Sequence, residues 1–362
     1  MKLSITNCNQ QSAASDRVEY LDVVRGVFVI LIIVGHHLMG LPETKKYICS
    51  FMLPPFMLLS GFLYAYKQVW ERPFGQTVVK NFQRLIYPYV TLSVINLSWN
   101  ILYYKVIFPE AVPEYSLKRM LLYTVTTYGY NALWYLPAVF WGTLLFVGIR
   151  RTKYHHHICL FLSACLIVFY ILFDARLTGK GAVSYIYCYL FRITVAVVFI
   201  FAGSVLFQVF RKMSRKQEWF LLISCIVISG IIAWLYQRYP ESFPIVNPAT
   251  HRLGNPYFYY LTVLSNFIAI TLLCKMMPRS MGIFTYFGRH SLIVLGLHMD
   301  IFVRIAWYIV PKLQLNFGEI GNSLMVIALE AAMAPAFVFV IDRYFPFVLK
   351  FPQKTDISPK NF

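Results

Sequence analysis

Arg25 and His36 lie eleven residues apart in the apolar stretch LDVVRGVFVILIIVGHH, residues 21–37. One is a permanent cation whose fork of donors suits phosphate and carboxylate. The other exchanges a proton near neutral pH. On an α-helix eleven steps of about 100° come to about 1100°, three turns plus roughly 20°, so both side chains share one face. Their separation along the axis is about 16.5 Å, roughly half the hydrocarbon thickness of a bilayer. Asp22 precedes Arg25 by three residues, within pairing reach on the same face. Ionisable groups inside a membrane face a protein interior or a hydrated cavity, which makes this stripe a candidate for chemistry. Position alone leaves two plainer roles open. Arg25 also suits an anchor whose charged end snorkels to the interface. His36 also suits a helix-packing histidine bonded to a neighbour.

Further polar groups recur in apolar surroundings. Lys80 and Arg84 belong to the segment KNFQRLIYP, residues 80–88, and Arg289 enters a later apolar stretch. Guanidinium groups hold phosphate through two parallel hydrogen bonds, so these positions could grip a polyanionic ligand. Taken singly, each is better explained as a loop cation fixed by topology. Arg192, His298, Asp300, Arg304 and Glu330 all fall inside late apolar stretches, more than packing needs, which points to a hydrated cavity. In FMLPPFMLLSGFLY, residues 51–64, Pro54 and Pro55 remove backbone donors and kink the chain. Ser60-Gly61 there permits close approach of another helix. The run His155-His156-His157 tempts a metal reading, but it has no second ligand cluster and no metal is expected. The seven cysteines, Cys8, Cys49, Cys159, Cys165, Cys188, Cys225 and Cys274, show no CxxC spacing and read as small hydrophobes rather than disulfides.

The elements that must position these groups are membrane helices. The chain has 362 residues, 59% hydrophobic and 13% charged, with a mean hydropathy of +0.60, where soluble domains carry about 25% charged residues. Apolar windows of spanning length occur at 21–40, 47–66, 85–104, 133–149, 157–173, 189–210, 219–237, 257–274, 290–310 and 322–342. The expectation is an all-α polytopic membrane protein of about ten transmembrane helices. Of the 33 Lys and Arg residues, twenty fall in segments on the N-terminal side of the membrane, ten on the opposite side and three within spans. That two-to-one bias places both termini in the cytoplasm, with Arg25 in the inner half of the first span and His36 in the outer half. The net charge of +18 follows from the same bias, so no nucleic-acid partner is expected. Residues 1–20 are polar and read as a cytoplasmic segment rather than a secretory signal. Residues 21–345 form the membrane domain and 346–362 a short tail. The outer loops at 105–132 and 238–256, rich in Tyr and Pro, suit ordered aromatic walls. No internal repeat stands out.

Five segments in order resemble the acyltransferase-3 family of membrane proteins. They are the opening Arg-x10-His helix with Arg25 and His36, SGFLY at 60–64, the basic stretch Arg84-Leu85-Ile86-Tyr87-Pro88, Trp134-Tyr135-Leu136, and GRHSLIVLGLH at 288–298. His290 stands where that family usually has Asn, and Lys80-Asn81 is a thinner basic cluster than the Arg-rich versions. The resemblance covers residues 21–300 and is to the stand-alone form, single-domain sugar O-acetyltransferases of bacterial cytoplasmic membranes. It implies transfer of an acetyl group from cytosolic acetyl-CoA, used as cosubstrate, to a sugar hydroxyl of a surface glycan or its precursor. Under that resemblance Arg25, Arg84, Arg289 and Lys80 hold the donor, and Asp22 orients Arg25. His36 acts as general base or as a transient acyl carrier. His298, Arg304, Arg192, Glu330 and Trp134 lie on the acceptor side. The rival reading is a transporter or flippase of a glycan precursor, which would also need a polar path through its helices.

Overall fold

A computed structural model describes residues 6–110, 116–177, 181–250, 252–277, 281–313 and 317–351, with side chains described from residue 19 onward except 173–177. The polar N-terminal segment and the tail thus lie partly outside the described residues, as do the side chains of Cys8, Lys2, Arg17, Arg176, Lys180, Arg279, Lys354 and Lys360.

Ten helical segments among the described residues are long and apolar enough to cross a membrane. In chain order they are Glu19–His37, Pro42–Tyr66, Phe74–Ile107, Asn131–Arg150, His155–Leu172, Ala182–Lys212, Arg215–Arg238, Pro256–Met276, Ser291–Lys312 and Gly318–Tyr344. Each apolar window of the sequence coincides with one of them, so the fold is an all-α multi-pass bundle. The third span departs most from its window, 85–104. It begins at Phe74 because the amphipathic helix Phe74–Asn81 runs on through a π turn at Phe82–Ile86. Lys80 and Arg84 on that extension are too polar for a hydropathy window to include.

Burial sorts the spans into two layers. The second and fourth spans are 78% and 67% buried, whereas the fifth and seventh are 11% and 22% buried and turn their apolar side chains outward. A helix that is apolar on all sides and exposed in this way needs lipid as its solvent. Contact in the inner layer depends on glycine. A Cβ on Gly61 of the second span would stand 1.9 Å from the Ile200 carbonyl oxygen of the sixth, and one on Gly203 would stand 2.0 Å from that of Leu58. The same reciprocity binds the first span to the helix Gly282–Arg289. A Cβ on Gly26 would meet the Phe284 oxygen at 1.8 Å, and one on Gly288 the Asp22 oxygen at 1.8 Å. Such contacts let backbones pack where no hydrophobic force distinguishes protein from lipid.

The second span is broken between Pro42–Phe51 and Pro55–Tyr66, at the expected Pro54-Pro55 step. Further π turns lie at Tyr103–Ile107 and His298–Phe302. These local widenings of the helix are uncommon and gather at functional sites. Two of the three carry Arg84 and His298.

Candidate active site

At one end of the first span, Asp22 organises two arginines. Its Oδ1 accepts a hydrogen bond from Arg25 Nη1 at 2.8 Å, and its Oδ2 lies 3.8 Å from Arg289 Nε. Arg289 reaches it because glycine contacts press Gly282–Arg289 against the first span. Across from this pair, Arg84 donates to the Tyr64 hydroxyl and, at 3.3 Å, to Asn81 Oδ1. Tyr64 in turn donates to Asn81 Oδ1 at 3.0 Å. Beside them is a cavity of about 180 Å³ whose walls include Lys67, Arg72, Lys80 and Arg84. No Asp or Glu is among its lining residues. Lys67, just beyond the second span, has its ammonium held below the ordinary value by burial and by repulsion from Arg84, Arg72 and Arg25. Four cations with no carboxylate among the described residues lining their cavity make this end suited to a polyanion.

The other end carries no carboxylate in its wall. A cavity of about 520 Å³ is lined by His36, His298, Trp134, Tyr135, Arg192 and Lys45 among others, again without Asp or Glu. The His36 and His298 rings stand 5.4 Å apart between centroids. His298 Nδ1 lies 2.9 Å from the Leu295 carbonyl oxygen. A carbonyl only accepts, so Nδ1 carries a proton, and in the neutral ring Nε2 is the nitrogen with the lone pair. That Nε2 is buried and has no hydrogen-bond partner among the described residues.

Arg192 ties the cavity's loops together. Its Nη1 donates to the Tyr128 carbonyl at 2.7 Å and its Nε to that of Ala249 at 2.9 Å. Its guanidinium lies 4.1 Å from the centre of the Tyr128 ring and 5.2 Å from that of Trp134, a cation–π clamp on two aromatic walls. Burial pushes the Tyr128 hydroxyl up, with Arg192 opposing it only in part, so this phenol stays protonated at neutral pH. Among the lining side chains, His36 and His298 are those whose ordinary pKa lies near neutrality. Tyr135, next to Trp134, also lines the larger cavity.

The sequence-derived site residues therefore divide. Asp22, Arg25 and Arg289 form one cluster, and Lys80 and Arg84 line the smaller cavity beside it. His36, His298, Arg192 and Trp134 share the larger cavity. Glu330 and Arg304 do not line that cavity, contrary to the expectation from sequence. Glu330 is fully buried with Oε1 2.7 Å from His37 Nε2. His37 follows His36 by one residue, so it points about 100° around the helix, towards Glu330 and Trp307 of the last two spans. Arg304 turns to Asp300, 3.5 Å away, and sits 4.9 Å from the centres of the Tyr103 and Tyr104 rings. Asp300 also accepts from Asn131 Nδ2 at 2.9 Å and Asn100 Nδ2 at 3.1 Å. Arg304 thus supports the wall from behind, through the cavity-lining Asn131.

Several residues here carried too faint a sequence signal. Lys67 and Arg72 sat in a loop whose basic character topology already explained. Tyr64, Asn81, Lys45 and Tyr135 are ordinary in composition and gain meaning only from their neighbours. His37 was visible as half of a histidine doublet. Among the described residues no three His, Cys, Asp or Glu side chains converge as a metal ion would require.

The family model of the acyltransferase-3 group, described as an acyltransferase domain, matches residues 18–341, from the first span into the last. No curated protein and no solved structure matches the chain.

Proposed function

This chain belongs to the acyltransferase-3 family and is a multi-pass membrane acyltransferase, and we propose that it moves an acetyl group from cytosolic acetyl-CoA to a sugar hydroxyl of a surface glycan or its precursor. One observation carries this reading: a cationic cavity lies towards the Arg25 end of the first span and a histidine-bearing cavity at its His36 end. Acyl-CoA donors carry several phosphate charges, and the cluster of Lys67, Arg72, Lys80 and Arg84, with Arg25 beside it, supplies matching cations. The excess of basic residues on that side orients it to the cytosol, where acetyl-CoA is made. The reading places the protein in a bacterial cytoplasmic membrane.

The larger cavity fits the acceptor. Trp134 and Tyr128 offer aromatic faces for a sugar ring, held in place by Arg192. A sugar alcohol is too weak an acid to ionise at neutral pH, so its attack needs a base in the transition state. His36 fills that role directly, or first takes the acyl group itself. Asp22 neutralises Arg25 enough to keep it in the membrane and fixes its direction.

Label transfer tests the reading. Membranes containing the chain should move radiolabel from acetyl-CoA into glycan, and membranes lacking it should not. Movement of a glycan precursor across the membrane without any acyl-CoA, and with no label transferred, would instead establish a flippase.

A further inference from the structure

A histidine that is carrying an acyl group has no lone pair left with which to take a proton. One ring nitrogen holds the acyl carbon and the other holds hydrogen. His36 therefore cannot serve at once as carrier and as base, and the cavity has a second imidazole beside it. We propose that His298 is the base for the acceptor hydroxyl, leaving His36 free to carry the acyl group. This rests on the acyltransferase reading above and assigns a division of labour within that site.

Three features of His298 support it. Its Nδ1 proton is committed to the Leu295 carbonyl at 2.9 Å, which fixes Nε2 as the proton-accepting nitrogen. That nitrogen is buried without a partner among the described residues, and a native fold rarely leaves such an acceptor unsatisfied unless it has work to do. The ring stands 5.4 Å from that of His36 on the wall of the same cavity. The other candidates are weaker. Cys49 directs its thiol at the Gly35 carbonyl at 3.4 Å, and the Tyr128 hydroxyl is held protonated by burial.

The reaction divides into two balanced steps. In the first, the lone pair of His36 attacks the thioester carbonyl, the carbon–sulfur bond breaks, and coenzyme A leaves as its thiolate. His36 is then an acyl-imidazolium. In the second, the sugar oxygen attacks the acyl carbon, the carbon–nitrogen bond breaks, and the hydroxyl proton passes to His298 Nε2. His36 returns to neutral imidazole. His298 gives its proton to the thiolate, so that one thioester and one alcohol become one ester and one thiol.

The variant His298→Asn separates the steps. Its side-chain amide nitrogen can keep the bond to Leu295, but nothing replaces Nε2. Full-length protein in nanodiscs, supplied with acetyl-CoA and labelled coenzyme A without acceptor, reports the first step as label exchange. Native membranes supplied with labelled acetyl-CoA report the complete transfer. For His298→Asn we expect exchange within threefold of the unaltered chain and transfer reduced at least 100-fold. His298→Gln, whose amide nitrogen sits near the Nε2 position but accepts no proton, should behave alike. Transfer within threefold of normal in both variants would overturn the proposal, as would loss of exchange in both. An unaltered chain that transfers label without any exchange would also overturn it, while leaving the acyltransferase reading intact. An unaltered chain that neither exchanges nor transfers would remove that reading itself.

Discussion

The two ends of the first span solve the placing of polar groups in a membrane in opposite ways. At the arginine end, charge is kept and partly balanced. Asp22 serves Arg25 and Arg289, while the neighbouring cations of the smaller cavity have no carboxylate among the described residues lining it. At the histidine end, the walls carry no carboxylate and the reactive groups are imidazoles. Even there the chain separates two adjacent histidines. His36 faces the cavity, and His37 is locked against Glu330 in the protein interior. Standing positive charge suits binding of an anionic donor, whereas a pair of imidazoles on a wall without carboxylates suits proton transfer. On the proposed reading one helix separates binding from chemistry by the roughly 16.5 Å between Arg25 and His36.

Substitutions should break this contrast unequally. His36→Ala should have the largest effect, reducing label transfer from acetyl-CoA about 10³-fold or more with membrane insertion unchanged, because the group that takes the acyl chain is lost. Glu330→Ala leaves His37 buried without its partner, and leaving a buried polar group unsatisfied costs about 1–3 kcal/mol. Thermal melting in detergent should show that loss, with activity falling only as the folded fraction falls. Arg84→Ala should raise the KM for acetyl-CoA about 10- to 100-fold with kcat nearly unchanged, since a charge-assisted hydrogen bond contributes about 1.5–3 kcal/mol. Arg289→Ala should have the smallest effect. Its side chain is 59% exposed and stands 3.8 Å from Asp22, the geometry of a surface pair worth about 0–1 kcal/mol. A KM change below fivefold is expected, and a change as large as that for Arg84 would mean the donor reaches across to Gly282–Arg289.

Much of this was legible in the sequence because membranes write simple rules. All ten spans follow from apolar windows, and the kink at Pro54-Pro55 and the close approach at Gly61 follow from residue type. The stripe of Asp22, Arg25 and His36 follows from helical spacing. What spacing along one helix does not contain is which partner another helix supplies. Glu330 and Arg304 looked like acceptor-side groups because each is ionisable and inside a span. Their actual neighbours, His37 and Asp300, claim them. The π turns at Phe82–Ile86 and His298–Phe302 are equally silent in the sequence, since no composition rule distinguishes them from regular helix. Lys67 and Arg72 were hidden for the opposite reason, their charge being already explained by topology.

The central claim is directional: the donor binds at the arginine end and the acyl group is transferred at the histidine end. Sealed membrane vesicles of the two orientations test it most directly, each given radiolabelled acetyl-CoA only in the external medium. Inside-out vesicles, which present Arg84 and Lys80 to the label, should acylate glycan, and right-side-out vesicles should not until they are permeabilised. Equal labelling by intact vesicles of both orientations would contradict the account.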